Sequence, residues 1–221
     1  MLGVRCLLQR LPGIALLFFT GCLAPSPFQA VERVPVGDTE PADVRAAFAE
    51  VLPGKYRVAN SAVFHIRGRQ MTGVGYVAVD EPERSFAVAC MSPIGITLFE
   101  ISATNDAVKC NLAVTGVPHR EAFARVVAAD VRDVYFDLVP AAAAEAKRKK
   151  DSIVFRRDGS GGRIEHIFAG ADWRLVEKRS GRRRIRYYDY VEKDGQLFPK
   201  GIVLDNRKYR YRLVLRLKEI L

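Results

Sequence analysis

Histidine is scarce in this 221-residue chain, with three, and there is a single tryptophan. His65, His119 and His166 stand apart from one another, and none has an Asp or Cys at ligand spacing. No metal centre is therefore expected. The chain has no G-x-S-x-G elbow, no H-E-x-x-H helix and no phosphate-binding loop. Gly159-Ser160-Gly161-Gly162 reads as a hairpin turn. With no nucleophile beside a base, no catalytic residue is assigned, and neither enzymatic activity nor a cofactor is expected. No apolar run reaches the ~20 residues that span a bilayer. Cysteine is also sparse. Cys90 and Cys110 are far from C-x-x-C spacing, and they fall on strands separated by another strand. Next-but-one strands lie about 9.6 Å apart, beyond disulfide reach, so free thiols are expected.

What is present begins with an export segment. Arg5 and Arg10 precede an apolar stretch, Leu11 to Phe19, and Phe19-Thr20-Gly21-Cys22 closes it. Roughly nine apolar residues suit a signal peptide. The last four read as a lipobox, with cleavage before Cys22 and acyl chains on its thiol and new amino group; Phe19 replaces the usual leucine. Cys22 is thus the expected lipid anchor. Leu23 follows it rather than Asp, which by resemblance to Gram-negative lipoproteins implies the outer membrane, facing the periplasm. The expected organisation is a signal peptide over 1–21, a lipidated N-terminus and proline-containing tether over 22–40, and one domain over 41–221.

Removal of the signal peptide takes away two arginines and no acid, lowering the net charge from +10 to +8. The run Arg182-Arg183-Arg184-Ile185-Arg186-Tyr187-Tyr188 has the interleaved aromatics of nucleic-acid binders. Export argues against a nucleic-acid partner and in favour of an anionic membrane surface or an acidic protein.

Within the domain, Pro41 opens a helix with Val44, Ala47, Phe48 and Val51 on one stripe, and Pro53-Gly54 ends it. From Lys55 the period changes to two. Five strands follow, about 55–66, 70–79, 84–91, 96–103 and 107–115, joined by short turns. Arg120 to Leu138 reads as a second helix whose apolar face includes Phe123, Val127, Val131 and Val134. Ala141 to Lys150 is expected as a helical piece or connector. Six more strands follow, about 152–157, 163–168, 173–179, 183–192, 196–204 and 209–219. In the last, Tyr209, Tyr211, Leu213, Leu215 and Leu217 alternate with a nearly all-cationic face. The expected fold is α+β: one curved antiparallel sheet of about eleven strands forming an unclosed barrel, with the central helix plugging its mouth. Glu100 sits in an apolar strand and Asp130 on or near the apolar helix face. Either could sit in a cavity, with solvation at a sheet edge as the default expectation.

Phe86-Ala87-Val88-Ala89-Cys90-Met91-Ser92-Pro93-Ile94-Gly95-Ile96-Thr97-Leu98-Phe99-Glu100-Ile101 resembles the third and fourth strands of LolB. There a Pro-Leu-Gly turn projects an exposed leucine used in delivering lipoproteins to the membrane. Trp173-Arg174-Leu175-Val176 is similar to the tryptophan-led strand of the same family. Asp194 to Ile202, followed by the alternating Tyr209 to Leu217, resembles its last two strands. The chain thus resembles the LolA/LolB lipoprotein-carrier superfamily from Val44 onward, with Ile94 in the leucine's place. The resemblance implies binding of the acyl chains of lipoproteins or lipids in an apolar cavity and their placement in the outer membrane, with a periplasmic carrier protein as a further partner. It makes Pro93, Ile94 and Gly95 a tip that contacts membrane or client. The cavity lining expected from the apolar faces is Phe64, Ile66, Leu98, Val127, Val131, Trp173, Tyr211, Leu213 and Leu215. The same residues would equally fill an ordinary core. The alternative is an assembly lipoprotein that uses this fold as a protein-docking platform in an envelope complex.

Overall fold

The computed structural model describes residues 26–114, 119–159 and 162–221, and the Phe19–Cys22 motif lies outside them. The elements in chain order are α1 (Pro41–Glu50), β1 (Lys55–Ile66), β2 (Arg69–Asp80), β3 (Ser85–Met91), β4 (Thr97–Ala103) and β5 (Val108–Ala113). Then come α2 (Arg120–Tyr135), β6 (Glu145–Arg148), β7 (Ile153–Gly159), β8 (Gly162–Ala169), β9 (Arg174–Ser180), β10 (Arg183–Lys193), β11 (Gln196–Asn206) and β12 (Tyr211–Ile220). All twelve strands form one sheet in the order β5-β4-β3-β2-β1-β12-β11-β10-β9-β8-β7-β6. Every pairing is antiparallel, and the sheet does not close on itself. The first and last strands pair at its centre, Ile66 opposite Tyr211. The two edges, β5 and β6, are joined through α2, so the helix crosses the side where a closed barrel would have its missing pairing.

Eleven strands were expected, and the described residues hold twelve. The additional one, β6, comes from the alanine-rich and basic stretch read above as helix or connector. Its register on β7 runs from Glu145 opposite Arg156 to Arg148 opposite Ile153. All four residues are exposed. A short, charged strand satisfies the backbone of β7 without offering a sticky edge of its own, and that pairing overrides the helical preference of alanine. The second helix stops three residues earlier than its apolar stripe implied. Phe136 turns to extended backbone and drives its ring into the core, only 1% exposed.

The inner face of the sheet carries the alternating apolar set. Val58, Phe64 and Ile66 from β1 join Tyr211, Leu213 and Leu215 from β12, beneath α1 and α2. Phe48 of α1 sets its ring edge-on against Phe168 and Tyr190. The outer face is polar and internally paired. Glu165 bridges Arg156 (2.8 Å) and Arg179 (3.3 Å). Glu177 joins Arg179 to Arg184, and Asp205 joins Arg186 to Arg212. The basic run is thus largely spent within the protein: Arg183 points inward and Arg184 and Arg186 belong to this cross-strand ladder, while Arg182 is exposed in the β9–β10 turn. Cys90 and Cys110, on β3 and β5, are free.

Because neighbouring strands are antiparallel, their turns alternate between two ends. The β1–β2 turn and the β11–β12 turn share one end, since Ile66 faces both Arg69 and Tyr211. The β3–β4, β7–β8 and β9–β10 turns lie at that end too. The other five hairpin turns, with α1, lie at the opposite end.

Candidate functional site

The clearest concavity opens at the α1 end. It is a mainly apolar cleft of about 280 Å³ between the end of α1, the inner faces of β1, β11 and β12, and the chain just beyond α2. Leu52, Tyr56, Val58, Leu138, Leu197, Phe198, Ile202 and Leu217 form its greasy wall. Asn60, Tyr135, Glu81 and Asp137 supply polar groups. Inside, the Asn60 amide donates to the Tyr135 hydroxyl at 3.2 Å. Burial raises the pKa of Tyr56 and Tyr135 far above the ordinary phenol value, so both present neutral hydroxyls. The volume lies just under the ~300–1,000 Å³ usual for ligand pockets.

None of the nine residues expected to line a cavity lines this cleft. Phe64, Ile66, Tyr211, Leu213 and Leu215 do come together further along the same inner face, where the Phe64 and Tyr211 rings lie 4.8 Å apart. Tyr211, Leu215 and Val131 are buried; Phe64, Ile66, Leu213 and Val127 are half-buried against the core. Leu98 is half-buried in β4. Trp173 sits in the β8–β9 turn with a left-handed backbone (φ 49°), one residue before the strand it was expected to lead. The signal for the cleft was the same alternation, read a few residues earlier: Tyr56 and Val58 precede Phe64 on one face of β1.

At the opposite end Pro93, Ile94 and Gly95 form the β3–β4 turn, closed by Gly95 N–H to Ser92 O at 2.9 Å and Ser92 N–H to Ile96 O at 2.8 Å. Ile94 is 81% exposed and Ile96 55%. A tight, hydrogen-bonded turn therefore holds an isoleucine out in solvent.

The helix between the sheet edges is fastened by buried polar side chains that the sequence did not single out. Lys178 is 2% exposed and donates to Asp133 O (3.1 Å) and Phe136 O (2.7 Å), the carbonyls at the end of α2. A cation there complements the helix dipole, while burial lowers its pKa to about 8. Tyr187 donates to Val134 O at 3.0 Å. His166 Nε2 lies 2.8 Å from Asp137 O. A carbonyl only accepts, so Nε2 carries the hydrogen; burial pushes this histidine down to about 4, leaving it neutral. Asp130, read above as solvated, is instead 7% exposed. It meets Arg183 at 3.0 Å, Asn206 at 3.3 Å and the Tyr211 hydroxyl. Burial still raises its pKa to about 6. Glu100 is exposed on β4. Among the described residues no cluster of His, Cys, Asp or Glu is suited to a metal, and no helix is long and apolar enough to cross a membrane.

The tether is seated as well. Phe28 lies on the outer face, stacked on Tyr188 (5.3 Å) with Arg216 over its ring (5.0 Å). Gly201 makes the seat, since a Cβ there would stand 2.6 Å from the ring. Val31 packs on Gly170 in the same way. The Val36 N–H then donates to Lys150 O at 3.1 Å, and Arg33 approaches Asp151 at 3.6 Å.

Similarity to known proteins supports this architecture. The family described as protein of unknown function, DUF3261, matches residues 60–219. A LolA superfamily protein from Nitrosomonas europaea superposes with a TM-score of 0.52 at 9% identity, covering 82% of this chain and 93% of that one. A putative outer membrane lipoprotein-sorting protein domain from Vibrio parahaemolyticus gives 0.48 at 10% identity, covering 81% and 90%. A DUF1329 family protein from Desulfovibrio piger gives 0.43 at 8% identity, covering 80% and 90%. No curated protein matches by sequence. The fold is LolA-like: an antiparallel sheet curled around helices and left open.

Proposed function

This chain belongs to the DUF3261 family, and from its LolA-like fold we propose that it is a lipid-anchored envelope protein that binds acyl chains of lipoproteins or lipids and helps place them in the outer membrane. The observation that carries the reading is the apolar cleft of about 280 Å³, walled by side chains from α1, the sheet and the residues after α2. An acyl chain needs little more than such a wall, because each buried methylene contributes about 0.8 kcal/mol. The neutral hydroxyls of Tyr56 and Tyr135 and the amide of Asn60 offer hydrogen bonds to a carbonyl. Cys22 would hold the domain at the membrane. It lies six residues before Phe28, a contour of at most about 20 Å. Ile94 is the group that meets the bilayer or the client.

The test is uptake: protein purified from its native envelope should release acyl lipid to mass spectrometry, and purified protein should take up a fluorescent fatty acid. Absence of both would remove the carrier reading. One observation favours a second reading, a docking platform. Much of the interior is filled, with Ile153, Phe168, Leu175, Ile185 and Leu204 fully buried. A protein captured in the envelope together with an empty cleft would select it.

A further inference from the structure

Charge is divided between the two ends of the sheet. The turns at the Ile94 end contain Arg67, Arg182, Arg207, Lys208 and Arg210 and no acid, and Arg69 follows at the start of β2. All six are exposed, and no carboxylate pairs with them among the described residues. Acids at that end are already engaged: Asp158 with Arg163, Glu121 with Arg125, and Asp205 with Arg186 and Arg212. The hairpin turns at the α1 end instead contain Glu81, Glu83, Asp106, Asp151, Asp172 and Asp194 against only Arg84, Lys149 and Lys150. On the outer face between the ends, the ladder sets Glu165, Glu177 and Asp205 against arginines that they hold in ion pairs. Unbalanced positive charge therefore distinguishes the turns of one rim from those of the other.

That rim also carries the exposed apolar side chains Ile94, Ile96 and Met71, with Tyr209 beside the cations. Cations beside a few projecting apolar groups fit a surface that is anionic at its face and greasy beneath. We propose that this rim docks the protein on an anionic phospholipid surface, with Ile94 entering the headgroup layer and the acidic end turned away. The occupant is a lipid surface rather than an acidic protein because the cations are spread over separate hairpins beside an exposed apolar tip. Tether geometry agrees. One register row, Gly201–Arg216–Ser61–Val74–Met91, links the Phe28 seat to the strand that enters the Ile94 turn. Four strand spacings make about 19 Å, within the reach of an anchor at Cys22. This last point rests on the anchor reading; the rim itself does not, and neither depends on the cleft.

The test uses the full chain carrying Cys22→Ser, so that acylation adds nothing, with phosphatidylcholine vesicles lacking or containing phosphatidylglycerol. Added anionic lipid should strengthen binding, and salt should weaken it. Arg69→Glu with Lys208→Glu should lower anionic-vesicle affinity by about tenfold or more. Lys147→Glu with Lys149→Glu, the same charge change at the other end, should cost far less. In an Ile94→Trp chain, brominated anionic lipid should quench the new tryptophan but not Trp173, which lies at the far end. Equal binding to neutral vesicles, equal losses from the two double variants, or preferential quenching of Trp173 would each overturn the proposal. Fatty-acid uptake by the two double variants should stay unchanged, which separates this outcome from failure of the carrier reading.

Discussion

The cleft makes a quantitative prediction about chain length. A methylene occupies about the ~30 Å³ that a water molecule takes in the liquid, so 280 Å³ holds about nine of them. At ~0.8 kcal/mol each, affinity should rise about fourfold per added carbon and then level off near that length. The perturbation is Leu217→Trp. Leu217 lines the cleft from the inner face of β12, and an indole brings about six more heavy atoms than an isobutyl group, displacing on the order of six methylenes, or about 5 kcal/mol. Competition of a fluorescent fatty acid by saturated acids of about six to sixteen carbons gives the profile. Wild-type protein should show a rising limb and a plateau. The variant should level off several carbons earlier and bind the longer acids more than a hundredfold more weakly. A flat profile would refute acyl burial in this cleft. A limb that keeps its slope out to sixteen carbons in both proteins would refute the assignment of the chain to this volume.

The tether seat should be sensitive to one carbon atom: Gly201→Ala places a methyl where the Phe28 ring lies, and loss of the half-buried stack and its cation contact should cost about 2 kcal/mol. Tryptic cleavage after Arg33 should then accelerate by about tenfold or more, as it should in Phe28→Ala; unchanged cleavage would mean the seat holds nothing. His166 should impose an acid limit on stability. Its pKa falls from 6.5 unfolded to about 4 folded, so the unfolded chain binds the extra proton, and stability drops as pH falls from 6.5 towards 4 by up to about 3 kcal/mol. Asp130 acts in the opposite sense between 3.8 and about 6, where the folded state holds the extra proton and stability falls as pH rises. The two effects nearly offset each other in the wild type between about pH 4 and 6, so His166→Gln should tilt the stability curve towards falling with rising pH and Asp130→Asn towards rising with it; denaturant melts with parallel curves would contradict both. Ile94→Glu should abolish transfer of a loaded acyl ligand to liposomes while leaving uptake intact, and equal transfer would remove the role given to that tip.

The strands were legible because each follows a simple alternation broken by turn residues: Tyr209 to Leu217, and Tyr56 to Ile66, fix their own faces. The projecting Ile94 was legible as the tip of a turn between Pro93 and Gly95. β6 was not, because Glu145 to Arg148 has no pattern of its own and becomes a strand only when β7 offers an edge. Nor was the polar fastening of α2. Lys178, Glu177 and Arg179 look alike along the sequence, yet the irregular register between Ile167 and Phe168 on β8 turns Lys178 inward to a helix end and leaves its neighbours in the outer ladder. The expected lining lies further along the inner face than the cleft for a related reason. Alternation identifies which face of a strand is apolar, but not which stretch of that face the helices leave uncovered.

That uncovered stretch is set by how α2 is held. Lys178, Tyr187 and His166 hold the carbonyls of Asp133, Val134, Phe136 and Asp137, and Arg84 grips the Asp137 carboxylate through two contacts of 2.8 and 2.9 Å. These partners come from β8, β9, β10 and the β2–β3 turn, so the end of the helix is tied to both halves of the sheet. The wall of the cleft that includes Val134, Tyr135 and Asp137 cannot retreat without breaking several buried hydrogen bonds together, each costly to leave unmade. The facing wall, at the end of α1, is different. It is tied across the cleft by the Leu197 N–H to Val51 O bond at 2.8 Å, and Arg45 reaches Ala142 O at an exposed position. If a longer acyl chain is to enter, α1 is the element that yields. A plateau at about nine methylenes then measures the packing of Phe48 against the sheet rather than any movement of the helix that spans the open edges.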